Sequence, residues 1–174
     1  MHDDLFAQAV ILAQLDARRP KQANLRRAVS SIYYAVFHYL IHESTCILFG
    51  TQHRQAPYRS VLGRAFSHNI MKQACVSFGG GSLKAAAIKG LPRDSDGLYR
   101  IPTAIVDLAS TFVELQEKRH SADYDRTEQF TRNDVLTLLD DAQNRVAEFS
   151  DLELTDDKRF FLACLWAWKE LTNR

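Results

Sequence analysis

Glycine and proline are scarce, at seven and four in 174 residues, a composition that favours long helices over many short strands. Cysteine is scarcer still. Cys46, Cys75 and Cys164 cannot all pair and no two stand in C-x-x-C spacing, so a disulfide framework is excluded and free thiols in a reducing cytoplasm are expected. No long apolar run exists. The longest charge-free stretch, residues 28–42, contains Ser30, Ser31, His38 and His42 and is too short to span a bilayer. The first residues, Met1-His2-Asp3-Asp4, are acidic where a secretory signal would be basic. The chain is therefore expected to be cytoplasmic, without a membrane partner.

Several chemical signatures are also missing. Gly79-Gly80-Gly81 precedes Lys84, but no G-x-x-x-x-G-K-[ST] phosphate loop is present and no strand leads into the run, which reads as a connector. No G-x-S-x-G turn marks a nucleophilic hydrolase. No His, Cys or carboxylate cluster has metal-ligand spacing, so neither a metal nor a cofactor is expected.

What is present is the composition of one folded domain, 46% hydrophobic and 25% charged, long enough to bury a core. The net charge is only +1, but it is unevenly spread. Residues 1–50 carry five Lys/Arg against four Asp/Glu, residues 51–100 eight against two, and residues 101–174 nine against fifteen. A basic middle and an acidic end suit either a phosphate-facing surface or mutual neutralisation, within the fold or across a dimer.

Apolar residues recur at helical spacing throughout, which predicts an all-α, up-and-down bundle of five to six helices. A first helix is predicted over 4–18, with Leu5, Ala9, Leu12 and Ala13 inward, ended by Pro20. A second runs from Gln22 to Phe49 with Leu25, Val29, Ile32, Val36 and Leu40 as its core stripe and Gly50 as its C-terminal cap. A third, over 58–78, carries Val61, Leu62, Phe66, Ile70 and Val76. Residues 79–100 form a long connector with a possible helical turn over 83–88. A fourth helix begins near Pro102 with Ile105, Leu108, Phe112 and Leu115 inward. Thr131, with Asp134 three residues on, caps a fifth containing Val135, Leu138, Leu139, Ala142, Val146 and Phe149. Thr155 opens a last helix that buries Phe161, Cys164, Leu165, Trp168 and Leu171, with Trp166 and Phe160 on other faces. Ile41 beside Leu40, and Val113 beside Phe112, extend two apolar stripes and suggest a homodimer.

Two polar stretches interrupt this pattern. On the second helix Arg27, Ser31, Tyr34 and His38 follow one another at helical spacing, flanked by Ser30 and Tyr33. A guanidinium, hydroxyl, phenol and imidazole in line suit a phosphodiester; they equally suit a hydrogen-bonded seam between helices. At the exit of the fourth helix, Arg119 and Asp123 are spaced for an ion pair, and His120 brings a group that titrates near neutrality.

The run Leu25-Arg26-Arg27-Ala28-Val29-Ser30-Ser31-Ile32-Tyr33-Tyr34-Ala35-Val36-Phe37-His38 resembles the second-helix signature of HEPN domains. Arg119-His120-Ser121-Ala122-Asp123-Tyr124-Asp125 is similar to the Arg-x-x-Ala-Asp-Tyr element of a bacterial branch of that family. The resemblance covers residues 1–150 and leaves 151–174 as a helical extension packed on the same domain. It implies a HEPN-like bundle, commonly a homodimer, used in RNA cleavage, toxin–antitoxin pairs, antiviral defence and nucleotidyltransferase partnerships. Catalytic members place a His after an Arg with four to six residues between them; Arg64 and His68, with three between them, come closest but lie on another helix. No histidine here has that spacing, and Tyr124 stands where the His after Arg119 would fall.

The expected function is thus a module that binds RNA or a nucleotide, partnered by a cognate antitoxin or nucleotidyltransferase. Arg27, Ser31, Tyr34, Asp123 and Tyr124 are its candidate ligand contacts. The alternative is a metal-independent ribonuclease with a non-standard centre of Arg119, His120 and His38, because RNA cleavage needs a base for the 2′-hydroxyl and a cation for the phosphorane. A third reading is a structural dimerisation or adaptor domain.

Overall fold

Long, unbroken helical periodicity becomes a bundle of α-helices arranged around one central rod. The computed structural model describes residues 1–16, 18–80, 83 and 89–172. Among them are seven α-helices, one short 3-10 turn and no strand: α1 (His2–Gln14), α2 (Gln22–Phe49), α3 (Ala56–Gly63), α4 (His68–Gly79), α5 (Thr103–Tyr124), α6 (Arg132–Asp151) and α7 (Asp156–Thr172). Helix α2 is the rod. Its 28 residues span about 42 Å, and it packs against α1, α3, α5, α6 and α7. Its predicted stripe of Leu25, Val29, Ile32, Val36 and Leu40 is buried. So are Ala28, Tyr33, Ala35, Phe37 and Tyr39, as expected of a helix covered on most sides. Buried hydroxyls along it turn back onto their own helix: Ser44 Oγ donates to the Leu40 and Leu162 carbonyls, at 2.8 and 3.2 Å.

The helix count exceeds the expected five to six because the third predicted helix is two. The segment expected over 58–78 breaks after Gly63 and restarts at His68, where Ser67 adopts an extended backbone and accepts a hydrogen bond from the Ile70 N–H. A local N-cap outweighs continuous periodicity there. The break re-aims both halves, so Val61 and Val76, expected in the core, are 64% and 52% exposed, while Phe66 is buried. The first helix is also shorter than expected, ending at Gln14 rather than near Arg18. Most of the possible turn over 83–88 lies outside the described residues.

The other expected boundaries hold. Gly50 closes α2 at φ 73° with its N–H on the Cys46 carbonyl. Thr131 and Asp134 form a reciprocal capping box, and Thr155 Oγ1 accepts from the Lys158 N–H. Helix α7 buries Phe161, Cys164, Leu165 and Trp168 in the same core as α2 and α4; Phe160 packs on Phe78 and Trp166 is 38% exposed. Gly79 permits α4 to approach α5, since a Cβ there would lie 2.6 Å from Ser110 Oγ.

Four helices share one way of ending. None of α1, α2, α5 and α6 has a basic residue in its own last turn, yet each ends on carbonyls that need donors. A cation from elsewhere supplies them. Arg132 reaches the Ala13 and Asp16 carbonyls beyond α1, and Arg59 the Gly50 and Gln52 carbonyls after α2. Buried Lys158 reaches the Phe149, Ser150 and Leu152 carbonyls at the end of α6. Arg26 does the same for α5. Each pairing places positive charge at the negative end of a helix dipole, and Arg132, Lys158 and Arg26 also reach carbonyls within the terminal turns themselves.

Candidate functional site

The two polar stretches of the sequence meet where α5 leaves the bundle against α2. Arg26 Nη1 donates to the Ala122 and Asp125 carbonyls, both at 2.8 Å, and Nη2 to Glu128 O at 2.5 Å. One turn along α2, Ser30 Oγ donates to Asp123 Oδ1 at 3.0 Å. The other oxygen of Asp123 lies 2.8 Å from Arg119 Nε. That N–H is not aimed at a protein acceptor, so the contact is an ion pair by proximity rather than an aligned hydrogen bond. Arg119 Nη2 donates to Tyr34 Oη at 3.3 Å, and the guanidinium lies 5.6 Å from the Tyr34 ring and 5.9 Å from the Tyr33 ring. Two aromatic faces and one carboxylate thus fix its orientation.

Beneath the guanidinium is a histidine that the sequence reading set aside. His68, at the start of α4, stacks on Phe37 at 4.1 Å, and its Nδ1 lies 2.5 Å from the Tyr33 hydroxyl. Burial raises the Tyr33 pKa well above the ordinary phenol range. Burial, then the charge of Arg119, lowers that of His68. Both groups are therefore neutral near pH 7; the buried Tyr33 hydroxyl has no other acceptor among the described residues, so its O–H is assigned as the donor to Nδ1. The proton of that imidazole consequently sits on Nε2, which makes the free nitrogen a donor. His38 stacks on Tyr34 with ring centres 6.3 Å apart, and burial lowers its pKa also.

The outer side of Arg119 opens into a cleft of about 280 Å³ between α4 and α5, lined by Lys72, Gln116, Glu117, Arg119, His120 and Ser121. Lys72 forms an exposed ion pair with Glu117 at 3.2 Å. Arg119 Nη1 donates to no acceptor among the described residues. The cleft therefore presents a braced guanidinium beside an imidazole and a Lys72–Glu117 ion pair, and it is the free edge of the guanidinium that suits a phosphate.

The sequence candidates divide between this cluster and other places. Tyr34, Asp123, Arg119 and His38 belong to it. His120 lies on the exposed side of α5, lining the cleft with its ring against Tyr124 at 4.9 Å; Tyr124 itself is 68% exposed. Ser31 turns the other way and donates to Gln8 Oε1 of α1 and to the Arg27 carbonyl, a seam rather than a site. Arg27 is exposed. Sequence reasoning missed Arg26, His68 and Lys72. For His68 the available signal was the Ser67 cap, which begins a new helix and turns its first residue inward.

Among the described residues, no three His, Cys, Asp or Glu side chains are grouped to hold a metal ion, and no helix is long and apolar enough to cross a membrane. Compared with protein-family models, curated proteins and solved structures, the chain matches none.

Proposed function

We propose that this chain is a HEPN-like module that binds RNA or a nucleotide, holding a phosphate in the cleft beside Arg119. The observation that carries the reading is the presentation of Arg119: ion-paired to Asp123, bonded to Tyr34 and backed by two tyrosine rings, with Nη1 left for a ligand. A guanidinium already fixed in place loses little freedom when it engages an anion. The meeting of the two stretches that resemble the family supports the HEPN-like assignment. The module is proposed to act in a toxin–antitoxin, defence or nucleotidyltransferase-partnered system, as a homodimer.

Binding is favoured over cleavage by the state of the nearest imidazole. A ribonuclease centre needs a nitrogen able to take the 2′-hydroxyl proton beside the cation. His68 uses its acceptor nitrogen on Tyr33, while His38, stacked on Tyr34 within the cluster, and His120, on the rim of the cleft, stand on separate helices. Fluorescence anisotropy with labelled single-stranded RNA tests the proposal. Binding should weaken steeply with salt, as phosphate contacts require, and Arg119→Ala should weaken it about tenfold. Unchanged RNA affinity in that variant would remove the cleft from the account.

A further inference from the structure

The α3 segment stands apart from the Arg119 cleft. Residues 44–93 contain seven Lys/Arg and no Asp or Glu. Among the described residues of this stretch, α3 is the one α-helix that buries none of its residues. It rests on α2 through Gly63 against Ile41 and through Tyr58, whose ring stacks on Phe49 at 5.7 Å and 26°. Arg59 braces its entry by capping α2.

The outward face is ordered. Arg54, Tyr58, Val61 and Arg64 succeed one another at intervals of four, three and three residues, and all four are exposed, Tyr58 by 62% and Val61 by 64%. The guanidinium groups of Arg54 and Arg64 have no hydrogen bond or ion pair among the described residues. One face of Tyr58 is occupied by Phe49 and the other is open. An exposed aromatic ring stacked on Phe49, with an unpaired arginine on the turn before α3 and another at its C-cap, has the two features that single-stranded nucleic acid uses: a face on which a base can stack and cations for the phosphates.

We infer that α3 is a stacking platform for single-stranded RNA, in which Tyr58 takes a base while Arg54 and Arg64 hold the flanking phosphates. The ligand is the one proposed for the Arg119 cleft, but the residues are different. An anionic membrane is the lesser fit, because a surface-lying helix needs a broad apolar face and Val61 is the only aliphatic side chain among these four.

The test is anisotropy of the full chain with labelled oligouridylate and oligoadenylate, with circular dichroism to confirm folding. Tyr58→Ala should weaken binding about tenfold, more for oligoadenylate because purines stack more strongly, and Tyr58→Trp should preserve or tighten it. Arg54→Ala with Arg64→Ala should weaken binding and flatten the log–log salt slope by about 1.4. Dependence on Tyr58 without dependence on Arg119 would uphold the platform and refute the cleft. Dependence on Arg119 alone, with the Tyr58 variants binding as the parent does, would overturn the platform. So would failure of every oligonucleotide to bind, or an arginine-pair defect confined to phosphatidylserine vesicles.

Discussion

Arg26 and Arg119 both join α2 to the end of α5, and they do so in opposite ways. Arg26 comes from α2 and directs its nitrogens at backbone carbonyls of residues 121, 122, 125 and 128. Arg119 comes from α5 and meets only side chains: Asp123, Tyr34 and the ring of Tyr33. A guanidinium with both Nη atoms engaged by carbonyls closes a helix and has no free Nη left to meet an anion. One oriented by a carboxylate and aromatic rings keeps a donor edge free. The difference separates a brace from a site within a few residues of the same junction, and Ser30 with Asp123 forms the bridge between them.

The sharpest way to break this comparison is Arg26→Ala. It strands carbonyls at a helix end whose last turn has no basic residue of its own, and should lower the unfolding free energy by about 3 kcal/mol in urea denaturation. RNA affinity of the folded fraction should be unchanged. A loss below about 1 kcal/mol would mean that water replaces the guanidinium and that Arg26 is no brace.

A pH series sharpens the other side. His68 and His38 both titrate below the ordinary value of 6.5 in the folded chain. Between that value and the lowered folded ones, the unfolded chain binds more protons than the folded chain. Stability should therefore fall as pH drops through that window and level off below it. His68→Asn should shallow the fall and leave the part due to His38. An unaltered profile in His68→Asn would show that His68 is not held neutral by its surroundings.

Tyr34→Phe should have the smallest effect. It removes an acceptor from a 3.3 Å hydrogen bond but keeps the ring beneath Arg119, so the stability change should stay below about 1 kcal/mol. The RNA affinity should fall less than in Arg119→Ala, because the ring and Asp123 still orient the cation. A defect equal to that of Arg119→Ala would make the hydroxyl, rather than the ring, the orienting group.

These particulars show what was legible before the fold was known. The α2 stripe and the caps at Gly50, Thr131 and Thr155 rest on local periodicity and hydrogen bonding, which a sequence states directly. So does the i, i+4 spacing of Arg119 and Asp123. The split between α3 and α4 was obscured because Val61, Phe66, Ile70 and Val76 continue a helical period across it, while the decisive Ser67 cap is a single residue. The division of labour between Arg26 and Arg27 is invisible in sequence: adjacent arginines on one helix differ by about 100° in direction, and only the position of α5 tells which finds carbonyls. His68 was hidden for the same reason, since its partners Tyr33 and Phe37 lie on a helix more than thirty residues earlier. The uneven charge also changes meaning in space. Arg59, Arg93 and Arg100 bind their own neighbourhood, Lys72 pairs with Glu117, and the side chains of Arg54 and Arg64 are left without a partner among the described residues. The expectation of a homodimer loses part of its sequence basis in the same way, because Ile41 lies against Gly63 and Val113 is partly buried between α4 and α5. Sedimentation of the purified chain measures that state directly.

The distinction between brace and site is tested most directly by measuring Arg119→Ala twice, once by urea denaturation and once by RNA anisotropy at fixed low salt. The account predicts a stability change of about 1 kcal/mol, smaller than that of Arg26→Ala, because Asp123 keeps the Ser30 hydroxyl as a partner when the largely buried ion pair is lost, together with an affinity loss of about tenfold. A variant that unfolds as readily as Arg26→Ala while binding RNA like the parent would contradict it.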